Sequence, residues 1–184
     1  MPSSTPVQTA SASANIAPDQ MFKVVIKAPP RAVWAEITRT DVPIACFFNN
    51  RMHLGPGGLA PGTKMAMRTP DGKHTGVVGE ILEIVPLKRF VHTFRFTDKN
   101  DPPCVVAYDL VEVQGGTEFT LTISRCVAGS KTQKQMVGGA KIITGTLKAV
   151  LEAGKPSFLI RTLYAVMPMF PVPKACRSEN WPVN

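Results

Sequence analysis

Two side chains in this 184-residue sequence set a proton-handling group in an apolar surrounding, His92 and Tyr108. His92 alternates with Phe90, Phe94 and Phe96, so on a strand the imidazole shares a face with three phenyl rings. Such an imidazole is either a satisfied core histidine or an acid/base group, and the core role is the more common one. Tyr108, between Val106 and Leu110, is a second polar anchor on the same terms. Metal chemistry has little support: His53, His74 and His92 form no HxxxH or HExxH pair and have no paired cysteine beside them, so no metal is expected. There is no GxSxG, and Ser130 reads as a helix cap rather than an activated hydroxyl. The loop Gly57–Lys64 mimics a phosphate loop, but Thr63 precedes Lys64 and a strand follows where that motif needs a helix N-terminus. No cofactor is implied. The cysteines Cys46, Cys104, Cys126 and Cys176 lie 58, 22 and 50 residues apart with no CxxC. That spacing predicts reduced thiols serving as small hydrophobes.

With 44% hydrophobic and 18% charged residues, the chain is too apolar for disorder and too interrupted by charge and proline for a polytopic membrane protein. Its length suits one domain with a core large enough to need no disulfide or structural metal. Residues 1–20 hold Ser, Thr, Ala, Pro and Gln with one charge, Asp19, and read as a disordered arm without a targeting signal, which predicts a cytoplasmic protein. The net charge of +8 is uneven: residues 1–130 carry 13 basic and 11 acidic side chains, residues 131–184 carry 8 and 2. Nucleic-acid binding is not expected, because the basic residues lack the interleaved exposed aromatics that stack on bases.

The elements that must position His92 and Tyr108 follow from periodicity. A strand over Phe22–Lys27 ends at Ala28-Pro29-Pro30, and Val33, Trp34 and Ile37 mark a short helix over Arg31–Thr38. Thr40, Asp41 and Pro43 predict a second short helix reaching Phe47 or Phe48. After a Gly/Pro loop at 55–62 the period changes to two. Strands are predicted over Thr63–Arg68, Gly76–Ile84, Phe90–Thr97, Val105–Val113 and Thr117–Cys126, an antiparallel meander with Gly or Pro at its turns. A long helix starts at Ser130 or Thr132, each followed three residues on by glutamine. Met136, Ala140, Ile143, Leu147, Val150 and Leu151 form its core stripe, and Gly154 and Pro156 end it. Gly138, Gly139 and Gly145 weaken it by roughly 1 kcal/mol each relative to alanine. Lys134, Lys141 and Lys148 recur every seven residues on the other side as a basic ridge.

This order resembles the helix-grip fold of the START-like (SRPBCC) superfamily: an α+β curved antiparallel sheet wrapped around a long C-terminal helix, with two short helices after the first strand. The segments Ala28–Thr38, Pro61-Gly62-Thr63, Gly79–Phe94 and Leu147–Glu152 resemble the subgroup related to the heat-shock protein 90 ATPase activator C-terminal domain. The resemblance covers about residues 22–154, so the helix-grip domain is placed at 21–154 and an apolar, basic extension at 155–184. It implies an apolar cavity between sheet and helix. The strands would line it with Met65, Met67, His92, Phe94, Phe96, Tyr108, Phe119 and Leu121, and the helix with Met136, Ala140, Ile143 and Leu147. At Gly139-Ala140 the subgroup often has Gly-Trp, so a large ring is missing and the cavity is either larger or filled by another group. The extension offers Phe158, Leu159, Leu163, Tyr164, Phe170 and Trp181 as fillers.

Three functions are compatible with the resemblance. The leading one is non-enzymatic binding of a hydrophobic or amphipathic small molecule, such as a lipid, in the cavity. The second is a co-chaperone-like contact of Lys134, Lys141 and Lys148 with an acidic protein partner. The third is cyclase- or hydratase-like catalysis by His92 with Tyr108, which requires both to reach one pocket. Residues 157–170 are apolar except for Ser157, Arg161 and Thr162, flanked by Lys155, Lys174 and Arg177, and too short to span a bilayer. They either lie on an anionic membrane surface, or fold back over the domain or against a second copy.

Overall fold

The structure is a computed structural model and describes residues 15–184. Seven strands form one antiparallel sheet: β1 Gln20–Ile26, β2 Arg51–Leu54, β3 Lys64–Arg68, β4 Thr75–Val85, β5 Arg89–Phe96, β6 Cys104–Val113 and β7 Gly116–Ser124. Their spatial order is β1-β7-β6-β5-β4-β3-β2, so every neighbour except β1 and β7 is also a neighbour in sequence. Helix α1 (Pro30–Thr38) follows β1, and α2 (Lys131–Ala153) closes the concave face. Register shifts at Met67/Arg68 and Ile81/Glu83 interrupt the ladder, and bulges of this kind raise local twist and bend. Where β4 meets β5, a Cβ at Gly79 would collide with the Thr93 carbonyl, so only glycine permits that approach.

Alternation carries through to the core. Phe90, His92, Val106, Tyr108, Leu110, Phe119, Leu121 and Ile123 are all buried, on faces matching their period-two placement. Ser130 is the N-cap of α2: its hydroxyl accepts from the Gln133 amide at 3.0 Å, and the Gln133 side chain accepts from the Gly129 amide at 2.7 Å. Gly154 ends α2 in the left-handed conformation, φ 71°.

Four expectations need correction. The second short helix is only a 3-10 turn, Ala45–Phe47, because no side chain caps it and Phe48 and Asn49 reverse the chain at φ 56° and 58°. Strand β2 was not predicted. Four residues between Asn50 and Gly55 are too few for periodicity to declare itself. Cys104 and Cys126 are paired rather than free, with Cα atoms 4.9 Å apart. The β6–β7 hairpin sets Val105 opposite Ser124 and so brings together two residues far apart in sequence. Cys46 and Cys176 are buried thiols. The predicted arm lies outside the described residues through residue 14, while Asn15–Ala17 run along β7's extension, the Ala17 amide donating to the Cys126 carbonyl at 2.8 Å.

Beyond α2, α3 (Phe158–Val166) leads to a strap that crosses the sheet. The Ser178 amide donates to the Lys73 carbonyl at 2.9 Å, Arg68 donates to the Trp181 carbonyl at 3.1 Å, and Arg95 sits 4.9 Å from the centre of the Trp181 ring.

Added β-carbons at Gly138 and Gly145 meet no atom within 4 Å, and neither residue has positive φ. Gly138→Ala and Gly145→Ala should each raise unfolding stability by about 0.5–1 kcal/mol, read as a shift in urea midpoint; no shift would mean that α2 is not helical at those residues in solution.

Candidate functional site

Helix α2 contacts β1, β7 and the Ala45–Phe47 turn, so it lies toward one side of the sheet. Over the other side the concave face encloses a cavity of about 450 Å³, within the size range of small-molecule sites. Strands β2 to β7 supply Met52, Met65, Met67, Val77, Phe90, His92, Phe94, Phe96, Val106, Tyr108, Leu121 and Ile123, and α2 supplies Gln135, Met136, Gly139, Ala140 and Ile143. Ten of the twelve residues expected at this site line it. Phe119 and Leu147 do not. Both are fully buried, in β7 and α2, within the same apolar core. Unanticipated lining comes from Phe47, Phe48 and Asn50, from Met52, and from Met167 and Cys176 beyond α2, whereas Leu163 is one of the fillers expected from the extension. A positive φ at Phe48 leaves no mark in the sequence. The Met52 and Leu54 alternation was the one legible hint of β2.

Ala140 remains open to the cavity, and no large ring replaces the missing indole there. Phe48 packs instead beside Gly139, 3.7 Å from where a Cβ would stand. The extension caps rather than plugs: Leu163 and Met167 line the mouth, while Phe158, Leu159 and Phe170 face outward. Tyr164 fastens α3 to the body, its hydroxyl donating to the Ala45 carbonyl at 2.7 Å.

His92 and Tyr108 do reach one pocket. Phe90 pairs directly with Tyr108 and His92 with Val106, so both polar rings project from one face, with centroids 5.7 Å apart. Phe90 lies 5.1 Å from the imidazole and 5.6 Å from the phenol, and Phe47 and Phe119 flank the phenol at 5.7 and 5.8 Å. The Thr93 carbonyl stands 2.7 Å from His92 Nδ1 and can only accept, so Nδ1 carries the proton and Nε2 presents its lone pair. The Tyr108 hydroxyl is 3.5 Å from Nε2, at the outer limit of hydrogen bonding. Burial removes the water that would stabilise an imidazolium and drops the His92 pKa to about 4, against a smaller upward pull from the Thr93 carbonyl. Burial likewise pushes the Tyr108 phenol far above its ordinary value. Near neutral pH the pair is uncharged and offers hydrogen bonds rather than a ready proton transfer.

The lysine ridge is divided. Lys134 and Lys141 are exposed. Lys148 donates to the Val25 carbonyl at 2.6 Å and to Glu152 at 2.7 Å, tying the end of α2 to β1. Among the described residues no group of three or more His, Cys, Asp or Glu side chains could hold a metal ion, and no helix is long and apolar enough to cross a membrane.

Because His92 holds its proton less tightly folded than unfolded, its contribution to stability is whole above about pH 6.5 and is lost as pH falls through 6.5 toward 4. The loss is on the order of 3 kcal/mol by pH 4. His92→Phe should narrow the gap in urea stability between pH 7 and pH 4 by about that amount relative to the wild type; an unchanged gap would contradict a buried neutral imidazole.

The sequence model of the family described as Activator of Hsp90 ATPase homolog 1-like protein matches residues 27–152. No curated protein matches the chain. Among solved structures, the Aha1 dimer from Colwellia psychrerythraea is similar with a TM-score of 0.60 at 17% identity, over 76% of this chain and 99% of that one. An HSP90 activator from Plasmodium falciparum has a TM-score of 0.58 at 17% identity, over 75% and 97%. CalU16 from Micromonospora echinospora has 0.57 at 20% identity, over 80% and 81%. At these identities the structures establish the shared fold, and the match over residues 27–152 establishes the kinship: the chain belongs to the family of Activator of Hsp90 ATPase homolog 1-like proteins, within the START-like superfamily.

Proposed function

We propose that this protein binds a hydrophobic or amphipathic small molecule, of the lipid class, between the concave sheet and α2, with no covalent chemistry of its own. The observation that carries this reading is a hollow of about 450 Å³ whose walls are predominantly apolar, with the buried polar edges of His92 and Tyr108 and the polar side chains of Asn50, Asp98 and Gln135 among its lining. A tightly packed interior would leave no such space, since protein cores hold few voids larger than a water. An apolar ligand losing about 300 Å² of exposed surface there gains about 7 kcal/mol before ordering costs, which sets micromolar affinity as the upper limit from burial alone. The Tyr108 hydroxyl supports one oriented hydrogen bond to a carbonyl or hydroxyl of the ligand. The low basicity of His92 supports binding over acid/base catalysis.

Native mass spectrometry and solvent extraction of purified protein should recover a bound amphiphile, and a fluorescent fatty acid should bind in the micromolar range. Ala140→Trp restores the indole common in the subgroup at a residue lining the hollow, and should reduce that affinity at least tenfold while the fold persists by circular dichroism. A wild-type protein that carries no ligand and gains no thermal stability from lipids would overturn the reading.

A second reading is a co-chaperone-like contact with an acidic protein partner, supported by the exposure of Lys134 and Lys141 on the outer side of α2 and by neighbours described as Hsp90 activators. Lys148 is set aside because it holds α2 to β1. Lys134→Glu with Lys141→Glu should weaken capture of such a partner at least tenfold without affecting ligand uptake; undiminished capture removes the ridge from any docking role.

A further inference from the structure

Helix α3 is apolar on both sides, yet the domain covers only one. Leu163, Tyr164 and Met167 turn toward the cavity mouth and the Ala45 carbonyl. Phe158 and Leu159 are 82% and 75% exposed, and Met169 and Phe170 just beyond the helix are 81% and 65% exposed. An apolar helix face that the domain leaves uncovered lacks a partner. The charges around it identify which. From Ala153 through Ser178 the chain has no acidic residue, but it has four cations, Lys155, Arg161, Lys174 and Arg177, all exposed. Arg177 pairs with Glu179 at 3.5 Å, which leaves Lys155, Arg161 and Lys174 without a carboxylate partner among the described ion pairs. Exposed aromatic and aliphatic side chains set among these cations complement a surface that is apolar inside and anionic at its rim.

We propose that the outer face of α3, with Met169 and Phe170, docks on an anionic membrane surface, the helix lying along the headgroups. Nine residues of helix cannot span a bilayer but can lie in its interface, where buried apolar area and attraction of basic side chains to anionic lipids act together. The inner face of the same helix closes the cavity, so docking sets the mouth of the ligand site against the lipid. That last consequence rests on the ligand-binding reading; the docking does not. The approach of Tyr164 to the Ala45 carbonyl is the hydrogen bond between α3 and the body that would break if the helix lifted.

The test is cosedimentation of the full chain with vesicles of phosphatidylcholine alone and of phosphatidylcholine with one-third phosphatidylserine. Wild-type protein should bind the anionic vesicles at least roughly tenfold more tightly, with affinity falling as salt rises. Phe158→Ser with Leu159→Ser should lose roughly tenfold or more of that binding. Lys155→Glu with Arg161→Glu, both at exposed residues where folding is not at stake, should abolish the preference for phosphatidylserine with an unchanged thermal midpoint. The Ala140→Trp variant, impaired in ligand uptake, should dock like the wild type, so the two readings fail separately. Equal binding to both vesicle types, or to neither, would overturn the proposal. So would light scattering that shows a dimer split by Phe158→Ser while vesicle binding is unaltered, which would make this face a contact between copies of the chain.

Discussion

The structure depends on a mismatch between one straight helix and one strongly bent sheet. Seven antiparallel strands, bent at two ladder irregularities, present a concave apolar face wider than a single helix can cover. Helix α2 settles toward β1, β7 and the 45–47 turn, and Phe119 and Leu147 are fully buried there. Over the opposite half, β3 to β5 pack against neither α1, which reaches β6 and β7, nor α2. The hollow is what remains when rigid elements meet along one side only, and small residues at Gly139 and Ala140 leave it unfilled.

The meander and the closing helix were legible because they rest on local rules. Period-two alternation fixed the faces of β5, β6 and β7, and Ser130 with Gln133 fixed the start of α2 within a residue. Ten lining residues followed from that alternation together with the helix-grip arrangement implied by the resemblance. What was not legible depends on distant contacts. Phe48 and Asn49 adopt left-handed backbone without glycine, and β2 is too short to show a period. The pairing of Cys104 with Cys126 requires knowing hairpin register, which their 22-residue spacing does not reveal. The roles of Met167 and Cys176 come from a segment beyond the matched domain, where periodicity marks apolar character but not the surface it meets.

The two polar groups within the hollow illustrate how environment sets chemical role. The same imidazole in water would titrate near neutrality, but here dehydration keeps it neutral and one backbone carbonyl fixes its tautomer. The phenol beside it is still harder to ionise. Under the proposed reading, what they contribute to an amphiphile is direction: a polar edge which, with Asn50, Asp98 and Gln135, breaks a mostly apolar wall and favours one end of the ligand over the other.

The end of α2 has a consequence for the sheet's margin. Strand β1 is an edge strand, and unpaired backbone groups on such edges invite strands from other molecules. Here the Lys148 ammonium occupies the Val25 carbonyl, and Glu152 accepts the Lys27 amide at 2.8 Å, so two side chains one helical turn apart occupy the positions a foreign strand would need. The hydrogen bonds that fasten the helix to β1 thereby also occupy two backbone groups through which this border could pair with a foreign strand.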